Sequence, residues 1–161
     1  MSIRKHYDEA LAELNQALTE MGQAVTDAVE NAMEALATTD AEAAAQIIKD
    51  DSQINEMEHD IEHRCMLLLL RQQPVAGDLR RVSATLKVIT DLERIGAHAA
   101  DIAEIMPHLF ASRKAGDPAV SEAIKMGQKA HKMVQDGMDA FLKEDMNAAQ
   151  KVIAADDEVD Y

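Results

Sequence analysis

The fold is decided by two stretches that read as copies of each other: residues 21–51, MGQAVTDAVENAMEALATTDAEAAAQIIKDD, and residues 126–156, MGQKAHKMVQDGMDAFLKEDMNAAQKVIAAD. Shifting the chain by 105 positions lays Met21-Gly22-Gln23 on Met126-Gly127-Gln128 and then pairs Val29 with Val134, Met33 with Met138, Asp40 with Asp145, Ile48 with Ile153 and Asp51 with Asp156, without a gap. Helical sequences share a small alphabet, so isolated matches mean little. A register kept across a helix, a turn and a second helix means duplication.

Each copy has apolar residues stepping by three and four. In the first helix they run Tyr7, Leu11, Leu14, Leu18, Met21, Val25, Ala28, Ala32, Met33 and Leu36, which makes one amphipathic face. That helix is expected to stop near Thr38 and Thr39, where Thr39 with Glu42 makes a capping box for a second helix. The second stripe is Ile47, Ile54, Met57, Ile61, Cys65 and Leu68. Pro74 disfavours helical angles before it, so this helix should end around Gln72 and Gln73. A third follows, with Leu79, Val82, Leu86, Ile89, Leu92, Ile95, Ala99, Ile102 and Met106 inward, weakened or ended by Pro107. Residues 112–116 read as a loop, after which Asp117 caps and Pro118 opens a fourth helix. The fifth begins near Asp145 and continues to Tyr161. The expectation is an all-α, tandem antiparallel three-helix-bundle repeat. Residues 1–113 form the first bundle, and 117–161 form the first two helices of a second, incomplete one. Two such helices without a third leave an apolar patch exposed, so that either the sequence is a piece of a longer chain or helices four and five complete themselves against another copy.

Composition narrows the function. The 161 residues carry a net charge of −14, which excludes the positive surface that nucleic acid requires. No apolar run is long enough to span a membrane, and the first seven residues lack the order of a signal peptide, so a cytoplasmic location is expected. The lone Cys65 lies on an apolar stripe and reads as a small hydrophobe. There is no Gly-rich phosphate loop and no Ser-His-Asp or Cys-His set, and the chain reads as no enzyme. Glu56 and His59 have the Glu-x-x-His spacing of di-iron bundles, but a second such motif is missing.

The segments 51–58 (DSQINEME), 72–80 (QQPVAGDLR) and 91–96 (DLERIG) resemble the PhoU family of phosphate-uptake regulators. The resemblance covers nearly the whole chain. It implies two tandem three-helix bundles and a homodimeric adaptor that links the phosphate ABC transporter ATPase subunit to a sensor histidine kinase and represses the phosphate-starvation response. It also implies a divalent metal or iron on acidic helix faces. Carboxylates four apart share a helix face and offer the oxygen ligands hard cations accept. The candidates are Asp51, Asn55, Glu58, Glu93, Asp101, Asp156 and Asp160. The family's Asp four residues after Glu93 is Ala97 here, with Asp101 one turn further as a partial replacement; Asp156 and Asp160 keep the spacing. The same residues also read as the solvated faces of their helices, or as pairs that orient the third helix. Arg80, Arg81 and Arg94 are candidates for docking an acidic partner, against the alternative of an ordinary basic rim. A metal-binding bundle with a storage or redox role is the competing reading.

Overall fold

The computed structural model describes residues 3–72, 74–113 and 116–160, all of it helix and short connections. Five helices follow one another: α1 (Ile3–Thr38), α2 (Ala41–Gln72), α3 (Ala76–Ser112), α4 (Pro118–Lys143) and α5 (Met146–Val159). The expected helix ends at Gln73 and Tyr161, and part of the expected loop, lie outside the described residues.

Helices α1, α2 and α3 all pack on one another, α4 packs on α1, and among the described residues α5 packs on α4 alone. The apolar stripes account for this. Leu14, Leu18, Met21 and Val25 of α1 meet Ile54, Ile61, Cys65 and Leu68 of α2 and Val82, Ile89 and Leu92 of α3. A second cluster at the other end joins Ala32, Met33, Ala35 and Leu36 to Ala44, Ile47, Ala99, Ala103 and Met106. The hydroxyls of the buried Thr26 and Thr85 donate to the carbonyls of Gln23 (3.0 Å) and Arg81 (2.9 Å), so neither is left unsatisfied.

The duplication is geometric as well as sequential. Thr39 and Glu144, 105 positions apart, both take left-handed backbone angles with φ of 53° and 54°. The amide after each closes the preceding helix, Asp40 N donating to Ala35 O (3.0 Å) and Asp145 N to Ala140 O (2.9 Å). The next helix is then capped identically, Asp40 accepting from Ala43 N and Asp145 from Ala148 N, both at 3.0 Å. The α2 cap is therefore Asp40. Thr39, expected as the cap, is instead the residue that reverses the chain, because a helix ending in a left-handed residue leaves the following side chain facing the next amides.

Two further expectations change. Pro107 does not end α3, which runs on to Ser112. A proline in a helix interior costs ~3 kcal/mol, and the fully buried Ala103 and Met106 hold the segment in place before it. Leu79 is 46% exposed rather than inward.

The α1–α4 contact joins the halves. A Cβ on Gly22 would meet Met138 Cε at 3.1 Å, and one on Gly127 would meet Met33 at Sδ, at Cγ (2.8 Å) and at Cε (2.9 Å). Adding 105 turns Gly22 into Gly127 and Met33 into Met138. The two contacts are thus exchanged by the repeat, as the two halves of a two-fold interface are, and α1 and α4 run antiparallel.

Candidate functional site

The acidic candidates divide by height along the bundle. Asp51, Asn55 and Glu58 lie along one side of α2 next to Ile54 and Ile61, which face the core. Gly96 lets α3 come close there: a Cβ on it would lie 3.1 Å from Ile54 Cδ1 and 3.7 Å from Asp51 Oδ1. One level away, Glu58 is half-buried, and its carboxyl is pushed up by desolvation and then by the charge of Glu93 across the seam, with a smaller opposing effect of His59. Glu58 and Glu93 are therefore brought together. Asp101, eight residues beyond Glu93 and so about 12 Å along the helix, is exposed, with His98 Nδ1 at 3.8 Å. Asp156 on α5 and Asp160 just after it are exposed, and Asn55 is exposed on α2.

Among the described residues no three His, Cys, Asp or Glu side chains come together so as to hold a metal ion. The donor set that α2 and α3 present is a single facing carboxylate pair. His59 and His63 are both exposed. Cys65 is fully buried, and burial, with a smaller effect of Glu62, pushes its thiol up to about 11, so it packs as a small hydrophobe.

The basic candidates also part company. Arg80 is exposed and donates from Nε to the Ala76 carbonyl (3.4 Å), while Arg94 is exposed and makes no ion pair among the described residues. Arg81 is a different case. Its guanidinium donates to Glu144 Oε1 (3.0 Å) and Asn15 Oδ1 (3.2 Å), and its side chain is 24% exposed. It is a strut from α3 to α1 and to the α4–α5 turn. Asn15 and Glu144 gave no signal in the sequence, because they sit 66 positions before Arg81 and 63 after it.

The expected apolar exposure is present as a groove. A cleft of about 820 Å³ runs between α3 and α4–α5, bounded by Val88, Leu92, Met138, Phe141, Ala149 and Val152. It continues into a second of about 630 Å³, with Ile95, Met133 and Val134 common to both.

These features define a tandem helical-bundle protein whose chemistry lies in its surfaces: a carboxylate pair, exposed arginines and an apolar groove. The chain belongs to the PhoU domain family, which matches residues 18–106 and 123–161. It is 38% identical, over 98% of its length, to the phosphate-specific transport system accessory protein PhoU homolog of Clostridium acetobutylicum, and spans 71% of that relative. The corresponding Pseudomonas aeruginosa protein is 37% identical over 82% of the chain, which spans 54% of it. The fold superposes on the crystal structure of PhoU from Pseudomonas aeruginosa with a TM-score of 0.90 at 34% identity, over 96% of this chain and 73% of that one. The PhoU structure from Streptococcus pneumoniae, described as a phosphate transport system regulatory protein, gives 0.84 at 32% identity, over 96% and 72%. These names are those of accessory and regulatory proteins rather than of an enzyme class. Among the described residues no helix is long and apolar enough to cross a membrane.

Proposed function

We propose that this chain is an accessory regulator of phosphate uptake. It holds the phosphate-starvation response off while phosphate is plentiful, as a cytoplasmic dimer that connects the ATPase subunit of a phosphate ABC transporter with a sensor histidine kinase. The observation that carries this reading is the 38% identity, over 98% of the chain, to a relative named for the phosphate-specific transport system. The physical features are compatible with it. A net charge of −14 favours basic partner surfaces over nucleic acid, and the exposed Arg80 and Arg94 offer a local exception where an acidic partner residue can dock. Arg81, whose guanidinium is held by Glu144 and Asn15, is less free to join that surface.

The test is alkaline phosphatase activity, read as a starvation reporter in the source organism on abundant phosphate. Deletion of the gene should raise it and restoration should return it to the basal level. Unchanged reporter activity together with unchanged phosphate uptake refutes the proposal.

A further inference from the structure

The end of the first bundle at the α2–α3 turn differs from the rest of the surface. Met66 and Leu70 in the last two turns of α2, Val75 at the turn and Leu79 in the first turn of α3 are 45%, 73%, 75% and 46% exposed. Helix α1 starts at the same level, because it packs on α2 through a short connection at the opposite end, and its Ile3 is 80% exposed. Leu79 is turned by nearly half a circle from Gly77 and Val88, which line the larger cleft, so this apolar cap is a separate surface.

The same end gathers cations in a chain whose net charge is −14. Arg4, Arg71 and Arg80 are all exposed there, and none makes an ion pair among the described residues. Asp78, the carboxylate nearest the turn in sequence, faces α1 instead: burial, and then Asp78 beside it, push the Tyr7 hydroxyl up to about 12. Depth is ordered as well. At a rise of about 1.5 Å per residue, Leu70 and Leu79 lie within about 5 Å of their helix ends and Met66 at about 9 Å. Apolar side chains enter the boundary between lipid headgroups and acyl chains over that depth, while Arg71 and Arg80 have stems long enough to hold their charges among the headgroups. Most of the carboxylates lie further along a bundle about 55 Å long, beyond the screening length of about 8 Å at physiological salt, and so do not repel an anionic surface that meets this end. Side chains exposed by three-quarters project, and a bilayer closes round a projection without needing a matching cavity.

We infer that this cap docks on the surface of an anionic phospholipid bilayer, with Leu70, Val75 and Leu79 in the headgroup boundary and Arg71 and Arg80 on lipid phosphates. The attachment is peripheral, since no described helix is long and apolar enough to cross. It rests on the exposure and charge of this end and stands independently of the phosphate reading.

The test is flotation of the whole chain with vesicles of phosphatidylcholine alone and of phosphatidylcholine mixed with phosphatidylglycerol. The chain should rise with the mixed vesicles only, and high salt should release it. Leu70→Ser combined with Val75→Ser, or Arg71→Glu combined with Arg80→Glu, should weaken partition at least about tenfold. Lys49→Glu and Ile105→Ser, exposed toward the other end of the bundle, should leave it unchanged. All six positions are exposed, and circular dichroism reports whether each variant keeps its helix content. Three outcomes overturn the inference: no flotation of a folded chain with either vesicle, which would leave the cap to a protein partner; equal partition to both vesicles; and losses in the two cap variants no larger than those in the two controls.

Discussion

The seam between α1 and α4 makes a prediction whose sign depends on background. Alanine for a helical glycine ordinarily stabilises by up to about 1 kcal/mol, because glycine gives up more backbone freedom on folding. At Gly22 the added methyl would stand 3.1 Å from Met138 Cε, a flexible side-chain end that needs to yield by only tenths of an ångström. Gly22→Ala should therefore lie within about 0.5 kcal/mol of wild type. At Gly127 the same methyl overlaps Met33 Sδ and comes within 2.8 Å of its Cγ. Met33 is 7% exposed, with little room to swing aside. Overpacking of this kind costs about 1–3 kcal/mol, which outweighs the helix gain, so Gly127→Ala should be destabilising by about 1 kcal/mol. Met33→Ala alone should cost about 2–4 kcal/mol as a buried truncation. In that background the obstruction is gone, and Gly127→Ala should stabilise by about 1 kcal/mol through helix propensity and partial filling of the vacated space. The predicted coupling is thus about 2 kcal/mol, well above the ~0.5 kcal/mol expected of independent sites. Urea denaturation of the four proteins measures it. Gly127→Ala having the same sign in both backgrounds would refute the close-approach argument.

Other expectations concern turns, charge and reactivity. Thr39 is a β-branched residue at φ 53°, so Thr39→Gly should raise stability by about 1 kcal/mol; Glu144→Gly should gain less, because it also removes the partner of Arg81, and thermal melts of the two would show the difference. Asp40→Ala removes the acceptor for Glu42 N and Ala43 N and should cost about 1 kcal/mol by the same measurement. Glu58 has its folded-state pKa raised, so its contribution to stability is fully present below the unfolded value and lost as pH rises through the folded one. Glu58→Gln should accordingly stabilise the chain at pH 7, by no more than about 1 kcal/mol or 2–4 °C, and the gain should vanish at pH 3; a gain independent of pH would contradict the burial and Glu93 effects. Cys65 should resist iodoacetamide at pH 8 in the folded chain and react within minutes once denatured, as mass spectrometry would record.

The stripes from Tyr7 to Leu36 and from Ile47 to Leu68 were legible because every step of three or four placed a residue that is buried or half-buried, and burial is what the hydrophobic pattern encodes. Leu79 broke the rule in the first turn of α3, where it is 46% exposed. Pro107 was misjudged because a local penalty was weighed without the buried Ala103 and Met106 beside it. Thr39 and Asp40 were transposed as caps because a left-handed residue and a capping one both favour small polar side chains, and only the backbone angle tells them apart. Of the candidate site, the facing of Glu58 and Glu93 was implicit in their helix faces. The engagement of Arg81 was not, since its partner Asn15 lies on another helix and Glu144 approaches α3 only once the second unit has folded back along α1.

The attachment of α5 has a kinetic consequence. Among the described residues it contributes no buried residue and packs on α4 alone, so opening it exposes little and breaks few contacts. Its amides should exchange with deuterium first and through local excursions, while those around Leu18, Ile61 and Ile89 wait for the whole molecule to unfold.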